Sequence, residues 1–169
     1  QDVRCRVCVH ALNEKWISRS SNTANEVNKL NQDNRYETTA EGIRYLVSGD
    51  SISKGVIYDE ARSKYVILKE NYVSLLQDRL KGAVCNTARF GNTLLKGVGN
   101  LKRNALEDRP NIVLIGYGGN DCDFNWDEIA QDPQAEHRPK TGFDEFRVML
   151  TESIDYLKRL QITPVLMTL

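Results

Sequence analysis

Ser51 and Asn120 are the residues around which chemistry can be built. Ser51 lies in Leu46-Val47-Ser48-Gly49-Asp50-Ser51-Ile52-Ser53, where an apolar run ends in glycine and small polar residues follow at once. A hydroxyl placed where a buried strand leaves its sheet stands where open α/β sheets bind ligands. Asn120 closes a second block of the same kind: the apolar run from Asn111 to Tyr117 leads into Gly118-Gly119-Asn120-Asp121. Two such strands in one sheet deliver a serine and an uncharged amide to a common rim. A nucleophile and a hydrogen-bond donor for a developing oxyanion are the parts of serine acyl transfer.

Those two strands need neighbours to hold them. Ile43 to Ser48 reads as the first strand. Leu68 to Leu80 places Tyr72, Val73, Leu76 and Leu80 on one helical face, with Gly82 expected to stop it. Ala83 to Thr87 reads as a short strand with Cys85 as a small core residue, and Thr93 to Leu106 as a helix. Thr141-x-x-Asp144 has the form of a capping box. It opens a helix whose face carries Phe143, Phe146, Leu150, Ile154, Leu157 and Leu160. Ile162 to Leu169 is a last strand, with Pro164 tolerable near its start.

Strands separated by helices of about ten residues or more imply a parallel sheet with right-handed crossovers, the α/β class. The sequence stops on its fourth strand, where an open doubly wound sheet ordinarily continues. The sheet is therefore expected to be truncated, with an exposed edge and a marginal or aggregation-prone isolated chain. Residues 1–42 differ from the rest: Asn22, Asn25, Asn28, Asn31 and Asn34 recur among polar and charged residues. They read as a polar extension, with Trp16, Ile17, Val27 and Leu30 able to form an amphipathic arm on the domain at residues 43–169.

Bulk properties exclude several function classes. The 169 residues suffice for one domain with a core, and 23 basic side chains balance 23 acidic ones. A neutral chain lacks the electrostatic footprint of a nucleic-acid binder. Apolar runs are strand-sized, well short of the ~20 residues of a membrane span. No signal-peptide pattern is visible, though the chain begins at Gln1 rather than methionine. Cys5-x-x-Cys8 resembles half of a zinc knuckle, but His10, Cys85 and Cys122 lie at unrelated spacings, so free thiols in a reducing cytoplasm are the favoured reading. Secretion stays open.

Cofactor motifs fail on particular residues. After Gly116-x-Gly118-Gly119 the glycine of a dinucleotide loop is replaced by Asp121, whose charge opposes a pyrophosphate. Asp121, Asp123, Asn125 and Asp127 begin like a calcium loop, but Trp126 occupies the glycine position and Asp132 the glutamate position. No phosphate-cradling G-x-x-x-x-G-K run occurs, and no cofactor or metal is expected. The six acidic side chains from Asp121 to Glu136 read as a solvated loop that disfavours strongly anionic substrates.

Three blocks occur in order: Gly49-Asp50-Ser51-Ile52-Ser53, then Gly91 in Ala88-Arg89-Phe90-Gly91-Asn92-Thr93, then Gly118-Gly119-Asn120-Asp121. This pattern, over residues 43–169, resembles the SGNH (GDSL) hydrolase superfamily of esterases, lipases and acetyl-esterases. The resemblance implies a flavodoxin-like three-layer α/β/α sandwich. It also implies Ser51 as nucleophile and an oxyanion hole built from the Ser51 and Gly91 backbone N–H groups and the Asn120 amide. Gly91 suits that role because, lacking Cβ, its amide can approach a substrate closely. Asp50 is expected to order the turn through backbone N–H groups.

The family's last block, Asp-x-x-His, supplies the general base and its orienting carboxylate, and this sequence contains no such motif. His10 and His137 are its only histidines. The simplest account places the base in a C-terminal part not present here; His137 reads first as an exposed loop histidine, with a substrate contact or the base as its alternatives, and His10 is the weakest candidate base. Trp126 is a candidate pocket wall, since an amphipathic ring suits a half-buried surface.

The function expected is a serine esterase acting on a small or carbohydrate-linked ester, its partner a small molecule. A non-catalytic module that keeps the pocket is the alternative. A third reading is an interaction protein whose N-terminal arm recruits a partner, and a homo-oligomer is possible.

Overall fold

The computed structural model describes residues 42–168. Cys5, Cys8, His10, the proposed arm and nearly all of the polar extension lie outside the described residues. The elements in chain order are β1 (Ile43–Gly49), α1 (Ser51–Lys54), β2 (Val56–Asp59), β3 (Lys64–Ile67), α2 (Tyr72–Arg79), β4 (Gly82–Asn86), α3 (Leu94–Asp108), β5 (Ile112–Gly116), α4 (Trp126–Gln131), α5 (Phe143–Arg159) and β6 (Thr163–Leu166).

Strand β1 is central because neither of its faces meets water: Leu46 and Val47, which point to opposite sides, are both fully buried. It pairs in parallel with β4 on one side and β5 on the other, and β6 follows β5. The order β4-β1-β5-β6 is the flavodoxin-like strand order. The fold is thus α/β, a parallel sheet between layers of helix, as the alternation of apolar runs implies.

On one face Leu46, Cys85, Val113, Ile115 and Tyr117 form the main core with Leu94, Leu101 and Ala105 of α3 and Leu157 of α5. The opposite face carries Val47, Gly49 and Gly116 and is covered by α1 and α2. A Cβ on Gly49 or on Gly116 would run into Ser53 Oγ, so both glycines admit α1 against the strand ends. Tyr72 of α2 reaches Met167 Sδ at 3.3 Å.

Several local expectations change. The helix expected from Leu68 begins at Tyr72, because the Asn71 side chain caps it by accepting from the Val73 and Ser74 amides. It ends at Arg79, with Leu80 as its C-cap ahead of Gly82, which opens β4 where a Cβ would collide with the Ile43 carbonyl. Thr141 does not cap α5: the N-cap is Gly142, with no side-chain cap bond, and the Thr141 hydroxyl goes instead to Asp121. Phe143, placed on the buried face by its spacing, is 79% exposed because it lies in the first turn, beyond the reach of the core. The acidic stretch after Asp121 contains a short helix, α4, and the hairpin of β2 and β3 was not expected.

Candidate functional site

Ser51 is the first residue of α1, and Asp50 is its N-cap, with its carboxylate accepting from the Ile52 amide at 2.9 Å. A one-turn helix forms here because Asp50 closes its start and Gly55, at φ +77°, closes its end in a left-handed conformation that glycine adopts without strain. Asp50 is 3% exposed. Burial raises its pKa, and the nearby Asp121 charge adds to this, while amide bonds from Ile52 and Ser53 hold it back. Ser51 itself is half-buried.

Backbone bonds tie the neighbouring strand ends to this turn. The Asp50 amide donates to Gly116 O at 3.2 Å, and the Arg89 amide donates to Gly49 O at 3.1 Å. The loop after β4 and the end of β5 are thereby joined to the Ser51 turn, so the blocks bearing Ser51, Gly91 and Asn120 share the carboxyl rim of three adjacent strands. Gly91 is exposed at φ +68°, with nothing within 4 Å of where a Cβ would stand. The Asn120 Nδ2 donates to the Asn92 carbonyl at 3.0 Å.

Asp121 binds these loops together. It is 3% exposed, and its carboxylate accepts from the Leu94 amide at 3.0 Å and from the Thr141 hydroxyl at 2.8 Å. It therefore serves the first turn of α3, where unsatisfied amides and the helix dipole favour an anion. The acidic run from Asp121 to Glu136 reads as a solvated loop, but Asp121 is buried at its start. Its position directly after Asn120 is the available signal, since a residue following a buried strand end beside a hydrogen-bonded amide must itself be placed.

Behind the rim, the hydroxyls of Ser48 and Tyr117 share a buried hydrogen bond of 2.9 Å. Burial raises the Tyr117 pKa even though Ser48 and the Asn92 side chain hydrogen-bond to its hydroxyl. It is therefore protonated at neutral pH and able to donate.

The remaining candidates make their hydrogen bonds within the loop that runs from Asp121 to Thr141. His137 Nε2 is 2.7 Å from the Asp132 carbonyl, a contact within its own loop. Trp126 is 44% exposed and donates its indole N–H to Asp123 Oδ1 at 2.9 Å. Partial burial opposes the Asp123 charge, but bonds from Lys140, Trp126 and the Phe124 amide outweigh it and lower its pKa. Among the described residues no cluster of three or more His, Cys, Asp or Glu could hold a metal. Nor is any helix among them long and apolar enough to cross a membrane.

No protein-family model matches the chain, and no curated protein matches it. Solved structures do. The chain is similar to TesA, with 23% identity and a TM-score of 0.55 over 75% of this chain and 60% of that one. It is similar to AlinE4, a SGNH-hydrolase family esterase, with 21% identity and a TM-score of 0.53 over 78% of this chain and 61% of that one. The chain has the SGNH-hydrolase fold. The psychrotrophic esterase EstA from Pseudoalteromonas sp., in a structure inhibited by monoethylphosphonate, also matches, with 20% identity and a TM-score of 0.53 over 75% of this chain and 59% of that one. The SGNH-hydrolase resemblance read from the three sequence blocks thus agrees with the fold. The chain spans about three fifths of the length of these structures.

Proposed function

We propose that this chain carries the nucleophile and oxyanion-hole portion of an SGNH-type serine ester hydrolase. The observation that supports this most is the shared rim: a serine at a helix start, an open glycine amide and a tethered asparagine amide on three adjacent strand ends.

In this reading Ser51 Oγ attacks the acyl carbonyl of a short-chain or carbohydrate-linked ester, and a base takes its proton. The carbonyl π electrons move onto oxygen, where the Ser51 and Gly91 N–H groups and the Asn120 amide receive them. Collapse expels the alcohol with the proton returned by the base. Water, deprotonated in the same way, then cleaves the acyl-serine ester and releases the acid. Asn120 suits its role because an uncharged amide keeps its proton as the oxyanion forms. Asp50 organises the turn, and Trp126 is proposed to line the substrate side. The base is either His137 or a histidine supplied outside these 169 residues. The absence of an Asp-x-x-His motif favours the second, and it also supports a binding-only module as the competing reading.

Turnover of a short aryl ester by the full-length protein, beside Ser51→Ala and His137→Ala, tests this. Ser51→Ala is expected to abolish turnover and labelling by an ethylphosphonate probe. Asn120→Ala should lower kcat about 100-fold or more, one oxyanion donor being worth roughly 3–4 kcal/mol. Loss of activity in His137→Ala would make His137 the base. Absence of both turnover and labelling in the wild-type protein would reject the hydrolase and leave the binding module.

A further inference from the structure

Two hydroxyls in an apolar core call for a reason. Ser48 is 2% exposed and Tyr117 8%. Both lie on the face of the sheet that α3 covers, since Ser48 follows Leu46 by two residues and Tyr117 follows Ile115 by two. Burying hydroxyls is costly unless they bond to one another, and replacing both partners by apolar groups is nearly neutral. Stability alone therefore gives little reason for the pair.

Its position gives a better one. The Tyr117 hydroxyl has the Asn92 side chain as a further hydrogen-bond partner. Its ring end lies against α3 at Gly97, where a Cβ would collide with the hydroxyl oxygen. Asn92 is 8% exposed, and its carbonyl receives the Asn120 Nδ2 at 3.0 Å. A planar amide carries two N–H groups. Committing one of them to Asn92 sets the plane of the amide and the direction of the other.

We propose that Tyr117 and Asn92 are positioning residues for Asn120: Tyr117 holds Asn92, and the Asn92 carbonyl aims the second Asn120 N–H at the oxyanion. This rests on the ester-hydrolase reading for its chemistry, but the tether itself is a property of the folded chain. Asn120 is the donor whose aim matters most, because its side chain can rotate whereas the two backbone N–H donors cannot.

The experiment compares Tyr117→Phe with the double variant Ser48→Ala/Tyr117→Phe in the full-length protein. Tyr117→Phe strands the Ser48 hydroxyl and should lower stability; the double variant removes both hydroxyls and should recover much of it. Positioning predicts that kcat stays about 10-fold or more below wild type in both variants, with KM within about 2-fold, since small displacements of a catalytic group cost that much or more. Recovery of kcat along with stability in the double variant would overturn the proposal.

The side-chain NH₂ resonances of Asn120 give a readout independent of turnover, with Asn111, whose Oδ1 accepts from the Arg44 amide, as the remote control. A shift at Asn120 and none at Asn111 in the double variant supports the tether even if the wild-type protein hydrolyses no ester, in which case only the hydrolase reading falls. Unchanged Asn120 resonances overturn the tether whatever the activity.

Discussion

Asp50 illustrates how one side chain can serve a turn at a cost that depends on pH. Its carboxylate closes α1, yet burial raises its pKa above the usual carboxylate value. A raised carboxyl pKa means that the folded state binds the proton more tightly than the unfolded state does. Its contribution is therefore most favourable below the unfolded value near 3.8 and declines as pH rises through the raised folded value. Asn at this position keeps the N-cap acceptor without the charge. Urea unfolding of Asp50→Asn beside wild type is expected to show the variant gaining relative stability as pH increases from about 4 to 7. A difference that is flat or of opposite sign would contradict the burial argument.

Among the elements, α3 depends on a carboxylate from a different part of the chain. Thr93 caps it through its own hydroxyl to the Lys96 amide, but the Leu94 amide is satisfied by Asp121. The same carboxylate takes the Thr141 hydroxyl ahead of α5, so α3, α5 and the loop after β5 meet at one buried acid. Asp121→Ala would leave the Leu94 amide and the Thr141 hydroxyl buried and unpaired. It is expected to cost about 2–6 kcal/mol, taking roughly 1–3 kcal/mol for each stranded group. Thr141→Val removes one of the two partners and should cost less. Chemical denaturation of the two variants tests this, and equal small losses would mean that water replaces the lost partners.

For the molecule as a whole, the sheet edge matters most. β6 pairs with β5 alone among the described residues, and Val165 and Leu166 on it are 41% and 48% exposed. An apolar strand edge is a template for pairing with another chain. A formal net charge of zero adds no long-range repulsion to prevent it. The 169-residue polypeptide is expected to self-associate as concentration rises, and Val165→Lys to shift it toward monomer, as read by sedimentation velocity. A concentration-independent monomer would show that the edge is protected.

Much of the fold, and the shared rim of the candidate site, was legible because it is encoded locally. A buried parallel strand must be an apolar run, and its end must be a run of small polar residues, so β1 and β5 and the blocks that follow them stand out in any reading of the chain. The alternation of such runs with helical faces implies the parallel sheet. Tertiary structure decided what depends on distant partners. Thr141 has the local form of a helix cap but bonds Asp121 instead, 20 residues away. Ser48 and Tyr117, ordinary strand residues by themselves, meet across a separation of 69 residues. The register that sets Gly49 beside Gly116 leaves room for Ser53. Local patterns record which side chains prefer burial or a turn, whereas hydrogen bonds between buried groups are chosen only once the strands are in register, when each group must take whatever partner lies within reach.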